Sequence, residues 1–342
     1  MNPLGLLLAS AMSVTNVLTD VARKHALEKR ELVAATFWMR VGVTLCFGIA
    51  LLWQVLAGKP VVIRDGGALF GVEAWRLAAI PTYLIYMALN VALITCVMWL
   101  YFRALQISPL SLCVPFLAFT PVFLIPSTYL MIGEKVAPMK FLGVLLIVIG
   151  SLTMHRKLFA EGWLAPVKAI VREKGSRYML LVSMIFSVTN PLDKKLVVMS
   201  DVFTEAFAYG LGLIGSFYLL GRLQRVDFGA AIRGNVKWVS LASLSDAVSL
   251  LFQLASYAFV QVAIVVSIKR AGIILAVLAG WLFFRERGIT DKVIAAAVMF
   301  SGVLILYLNL SFAEALGLMA VALAAMSLAL WVTRDKVVEV VK

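Results

Sequence analysis

Eleven apolar stretches separated by short charged segments decide what this chain can fold into. They lie near residues 3–20, 33–56, 78–102, 109–132, 141–154, 178–192, 203–221, 238–260, 262–284, 293–310 and 313–331. About 20 apolar residues cross the hydrocarbon of a bilayer as a helix, and each crossing segment must satisfy its own backbone hydrogen bonds. The stretches are too continuous for the alternating pattern of a membrane β-barrel. With 63% hydrophobic and only 14% charged residues, the chain has too little polar surface to cover a globule in water. The expected fold is an all-α polytopic membrane protein. The opening apolar run has no Lys or Arg before it, so it reads as an uncleaved transmembrane helix.

The formal charge of +13 raises the question of nucleic acid, which its distribution answers. Of the 31 Lys and Arg residues, Arg40, Lys269 and Arg270 fall within spans. Alternate loops divide the rest, with 21 on the side of the C-terminal tail and 7 on the other. Basic loops stay in the cytoplasm, which puts the N-terminus outside and the C-terminus inside. The excess charge marks topology, with anionic membrane lipid as its partner and no nucleic acid.

Repeats organise the chain. Ser13-Val14-Thr15-Asn16 in the first span recurs as Ser187-Val188-Thr189-Asn190 in the sixth, 174 residues later. Gly133-Glu134-Lys135 closes the fourth span and Arg285-Glu286-Arg287 the ninth, with the two glutamates 152 residues apart. The 22-residue discrepancy matches a long loop near 57–77, present only in the first half. The spans that follow carry Phe141-Leu142-Gly143-Val144-Leu145-Leu146 and Phe300-Ser301-Gly302-Val303-Leu304-Ile305. These landmarks give a ten-helix 5+5 repeat: residues 1–154 and 178–310, joined by a basic linker at 155–177, with 311–342 as an extra helix and tail. Five spans is an odd number, so the halves are inverted, the plan of secondary transporters with substrate held near the midplane. In the linker, Trp163, Leu164, Val167, Ile170 and Val171 recur at helical spacing, as in an interfacial helix or a basic loop.

On these features the chain resembles the EamA-type members of the drug/metabolite transporter superfamily over roughly residues 1–310. Arg40 early in the second span and Gly133-Glu134 closing the fourth carry the resemblance alongside the repeat plan. The eleventh helix and the outside N-terminus depart from the commoner ten-helix arrangement with both ends cytoplasmic. The resemblance implies a transporter, in a superfamily that handles amino acids, metabolites, drugs, phosphorylated metabolites and lipids.

Charge inside a membrane is costly, about 2.5–3.5 kcal/mol per residue at a helix centre, and so marks function or pairing. Lys269 and Arg270 sit together in the ninth span with no acid beside them in sequence. Arg offers a planar fork for phosphate or carboxylate and Lys a mobile point charge, which points to an anion site. The resemblance adds that sugar-phosphate and nucleotide-sugar branches hold phosphate with a similar pair. The other reading is a structural ion pair, with Asp246 of the eighth span as partner; otherwise Asp246 could carry a proton. Gln253 lies seven residues on, along the same helix face. Asn16 and Asn190 are repeat-related and could bind substrate or bridge helices. Lys194 and Lys195 follow Pro191, where the sixth helix could break early, exposing a second cationic contact or a solvated helix end. Arg40 is expected to pair within its own half. Pro115 and Pro121, among the prolines of the fourth span, are expected to bend it. Glu134 and Glu286 read as structural helix ends, and Trp53, Trp75, Trp99, Trp238, Trp281 and Trp331 as interfacial anchors. Cys46, Cys96 and Cys113 fall inside spans as small core residues, so neither a disulfide nor a metal site is expected.

No catalytic constellation, metal cluster, cofactor motif or nucleotide-binding domain is recognisable. The expectation is a non-enzymatic secondary transporter for a small anionic metabolite. A flippase for an anionic lipid headgroup, such as a polyprenyl-phosphate carrier, is the alternative, followed by an amino-acid or drug exporter. Short loops fit a bacterial inner membrane, and the protein is expected as a monomer or homodimer.

Overall fold

The computed structural model describes residues 2–27, 32–64, 79–107, 114–153, 174–233, 235–272, 289–308 and 310–332. The interfacial-helix expectation at 163–171, with Trp75, Cys113, Trp281, Glu286 and most of the 57–77 loop, falls outside these residues. Among the described residues the regular structure is helical throughout, and eleven long helices answer the eleven apolar stretches. They are α1 (Pro3–Leu27), α2 (Leu32–Leu56), α3 (Ala79–Ile107), α4 (Thr120–Ile132), α5 (Pro138–Thr153), α6 (Lys174–Met199), α7 (Val202–Leu223), α8 (Val236–Ser256), α9 (Val262–Ala271), α10 (Ile289–Tyr307) and α11 (Phe312–Val332). In length and composition, α2, residues 79–101 of α3, α7 and α8 can each cross a membrane. Leu45, Ile49, Leu52, Trp53 and Leu56 make an exposed stripe at helical spacing along α2. Such a face would be an aggregation site in water and is ordinary against lipid.

The chain forms two compact units, one of residues 1–99, 126–134 and 185–265, the other of 100–125, 135–184 and 266–342. In the first, α1 packs on α8, and α2 packs on α7 and α8. Gly42 makes room for the Ser243 side chain, and Gly210 for the Thr44 hydroxyl. In the second, α5 packs on α10 through the glycines of the two related hexapeptides. A Cβ on Gly143 would stand 2.8 Å from the Gly302 carbonyl, and one on Gly302 would stand 2.7 Å from the Gly143 carbonyl. The eleventh helix docks on this pair, with Ala315 and Ala322 against Leu142, Leu146, Val298 and Ile305.

Three helix details differ from expectation or explain it. Pro191 does not end the sixth helix, which runs on to Met199. Proline frees the carbonyl four residues back, and here the Ser127 hydroxyl donates to that Ser187 carbonyl, so the helix continues. The fourth stretch is not one proline-bent helix. Pro115 lies in a 3₁₀ segment, Val114–Phe119, and Pro121 lies in the first turn of α4, where a missing N–H leaves no helical bond unmade. Gly133 ends α4 with φ of 70°, a left-handed conformation that favours glycine.

Asp201 caps α7, accepting from the N–H groups of Phe203 and Thr204 at 2.9 and 3.1 Å. The Thr204 hydroxyl donates to it at 2.7 Å and the Gln54 amide at 3.3 Å. Burial pushes its carboxyl up, but these donors outweigh burial and hold it below the usual carboxylate range. A depressed native value means stability present above the unfolded-state value near pH 4 and lost as acid protonates the native carboxylate. Asp201→Ala should lower the melting temperature by an amount equivalent to about 1–2 kcal/mol and flatten the acid limb of a pH-stability curve below about pH 4. A variant as acid-labile as wild type would show that the cap does not set that limb.

Candidate functional site

Two polar constructions stand out, one in each compact unit. In the first, Asp246 of α8 accepts from Arg40 of α2 at 2.9 Å and from Arg23 of α1 at 3.3 Å. Arg40 does not pair within its own half of the sequence, as expected, because α2 packs on α8 through Gly42 and brings the two side chains together. Asp246 thus holds two cations, and Arg23, counted above with the loop charges, belongs to α1.

The same unit binds Lys194 into its interior. Its ammonium donates to Glu134 at 2.6 Å, and the other Glu134 oxygen accepts from the Val262 N–H, in the first turn of α9, at 3.0 Å. Lys194 is therefore not a solvated helix end. Glu134 has the structural role expected of it, and the left-handed Gly133 delivers it there. Lys195, beside it, is buried. Nearby, Gln253 donates to the Tyr257 hydroxyl at 2.9 Å, which donates to Asn190 at 3.0 Å, whose amide caps the Phe186 carbonyl at 2.5 Å. Two residues selected from sequence, Asn190 and Gln253, are thus joined through one that was not, Tyr257. Asn16, the repeat counterpart of Asn190, is half-buried within α1. Asn90 of α3 donates to Asp193 of α6 at 2.6 Å.

In the second unit, Lys269 and Arg270 occupy the last turn of α9, both half-buried. A helix C-terminus carries partial negative charge, which favours cations there. The Arg270 guanidinium reaches the Thr120 hydroxyl at 3.4 Å, and Thr120 in turn donates to the Leu117 carbonyl at 2.7 Å. The remainder of the ninth stretch lies outside the described residues. Lys140, counted above as a loop cation, is 4% exposed and donates to the carbonyls of Ile305, Leu306 and Leu308 at 3.0, 2.9 and 2.7 Å.

Sequence reasoning passed over Tyr257, Asn90, Lys140 and Glu205. Glu205 is the one acid of α7 and Asn90 the one asparagine of α3, both in apolar helices, a signal available in the sequence. For Lys140 and Tyr257 at helix ends no such signal exists. Among the described residues no group of three His, Cys, Asp or Glu is placed to hold a metal ion. The arrangement can bind and orient ions and polar groups inside an apolar body.

Residues 3–155 match the EamA-like transporter family. No curated protein matches the chain. A solved structure described only as a crystal structure of protein superposes with a TM-score of 0.62 at 15% identity, covering 90% of this chain and 97% of its own. At that identity the likeness speaks for the fold alone.

Proposed function

We propose, from the match of residues 3–155 to the EamA-like transporter family, that the chain is a secondary transporter of a small anionic metabolite bearing phosphate or carboxylate. The observation that carries this reading is the adjacent, half-buried Lys269 and Arg270 in the last turn of α9. A cation pair held in an apolar body is matched by an anion, and Arg suits the planar fork of phosphate or carboxylate. Alternating access between the two five-helix repeats, residues 1–154 and 178–310, would deliver it across the membrane without enzymatic turnover.

The N-terminus lies outside and the C-terminus in the cytoplasm of a bacterial inner membrane. Three of the seven cations counted on the sparse side, Lys140, Lys194 and Lys195, are buried or ion-paired in the fold. The charge asymmetry between the loops is therefore sharper than the raw count, which favours this orientation.

A second reading, a flippase for an anionic lipid such as a polyprenyl-phosphate carrier, draws on an open groove of about 390 Å³ between α2 and α7. Val41, Leu45, Ile49, Leu52, Phe207 and Leu211 line it, a surface suited to an acyl or prenyl chain.

Thermal melting of the purified protein in detergent separates the two readings. The panel holds inorganic phosphate, sugar phosphates, nucleotide sugars, polyprenyl phosphate, amino acids and cationic dyes. A ligand at 100 times its Kd should add about 2.7 kcal/mol. That gain should vanish in Lys269→Gln/Arg270→Gln. Stabilisation by polyprenyl phosphate alone favours the flippase. A wild type indifferent to every anion refutes both.

A further inference from the structure

Glu205, in the first turn of α7, is 1% exposed, and neither carboxylate oxygen accepts a hydrogen bond from any described residue. An ionised carboxylate in that state loses its hydration and gains nothing in return, the costliest way to bury a polar group. The other groups it faces are known. Asp193 of α6 acts on it as a second negative charge. Tyr83 of α3 and Tyr257 lie within its electrostatic reach, as does Tyr209 of its own helix, which also faces Arg40 of α2 and Asp246 of α8. The cation in that group, Arg40, is already engaged by Asp246.

Three further buried oxygens in the same helices, those of Tyr83, Asn90 and Thr189, have no hydrogen-bond partner. Asn90 gives its amide to Asp193 and leaves its own carbonyl oxygen unsatisfied. Thr189, one turn before Asp193 on α6, leaves its hydroxyl oxygen without a partner. A native interior satisfies nearly all such atoms. Here five unsatisfied oxygens belong to α3, α6 and α7, and oxygen is the ligand type that hard cations take. A single orphan carboxylate calls for one positive charge, and the lack of a third acidic or histidine ligand among the described residues argues against a divalent ion.

We propose that Glu205, with Asn90 and Asp193, binds a small monovalent cation, sodium or a proton, whose movement is coupled to transport. The proposal rests on the transporter reading and supplies its coupling ion. Bound in the site, the cation neutralises Glu205 and lets the carboxylate remain in the apolar interior. Its release leaves an uncompensated charge there, which destabilises that conformation and favours one that admits water.

The test is thermal melting of the detergent-purified protein. Sodium chloride is titrated against choline chloride at constant ionic strength, at several pH values, for wild type, Glu205→Gln and Asn90→Ala. For a sodium site, wild type gains a few degrees saturably with sodium and not with choline. For a proton site, it is the pH dependence that differs between wild type and Glu205→Gln, whatever the sodium concentration. Glu205→Gln, nearly isosteric and uncharged, should fold and lose whichever response wild type shows. Asn90→Ala keeps the carboxylate and should shift the titration midpoint by about tenfold, for the loss of roughly one good ligand contact. A Glu205→Gln response equal to wild type, or a wild type indifferent to both sodium and pH, overturns the proposal. Lys269→Gln/Arg270→Gln should keep the cation response. A wild type that shows the anion shift and no cation response therefore refutes this site alone, and one that shows the cation response and no anion shift refutes the anion reading alone.

Discussion

Asp246→Ala should destabilise the folded protein by roughly 3–5 kcal/mol, the largest loss expected from any single substitution in the polar interior. The aspartate holds two guanidinium groups, at 2.9 and 3.3 Å, with only 12% of the Arg40 and 17% of the Asp246 side chain exposed. Removing it leaves both arginines charged and deprived of their acceptor, and Arg40 Nε already lacks a hydrogen-bond partner among the described residues. Arg40→Met/Asp246→Ala should recover most of the loss, because it replaces the two more buried members of the cluster with apolar groups and leaves only Arg23, a third of whose side chain is exposed. Thermal unfolding of the four members of this cycle measures the coupling directly. If Asp246→Ala melts within about 1 kcal/mol of wild type, the pair is an exposed ion pair in energetic terms and does not organise α1, α2 and α8.

Lys140→Met should cost roughly 2–4 kcal/mol, since three charge-assisted hydrogen bonds disappear and three carbonyls at the end of α10 lose their donor. Methionine keeps the length and apolar stem of lysine, so the packing against α10 is retained and the change isolates the ammonium. Amide hydrogen exchange should rise through the last turn of α10, residues 304–307, with less change at its N-terminal turn. An unchanged exchange pattern would mean that water replaces the ammonium without cost.

Much of the fold was legible in the sequence, because lipid leaves a spanning segment no choice of backbone. Among the described residues each apolar stretch carries a helix, and most predicted ends lie within a few residues of those observed. Gly133-Glu134 and the glycine-centred hexapeptides were visible as repeats. Their causes emerge only in the structure: a left-handed helix end that positions an ion-pair acceptor, and two backbones that touch. The site was less legible. Asp246 could be recognised as a buried charge in need of a partner, yet the choice among Arg23, Arg40, Lys269 and Arg270 depends on which helices pack, and sequence spacing does not carry that. Pro191 misled for a related reason. Its local rule is correct, but a hydroxyl 60 residues away in the chain supplies the missing bond. Glu205 was a lone acid in an apolar helix, overlooked because it lies close to a helix end.

The seam between α5 and α10 carries a mechanical consequence. Where side chains interdigitate, helices can slide by exchanging rotamers. At Gly143 and Gly302 there are no side chains to exchange, and each backbone already rests against the other's carbonyl. One end of the pair is pinned as well, by the three hydrogen bonds of Lys140. Such a joint has no play: it cannot be shimmed, compressed or ratcheted by a fraction of a turn. The pair is therefore a fixed strut, with α11 braced along it, and any bending of this unit has to be taken up at its other joints.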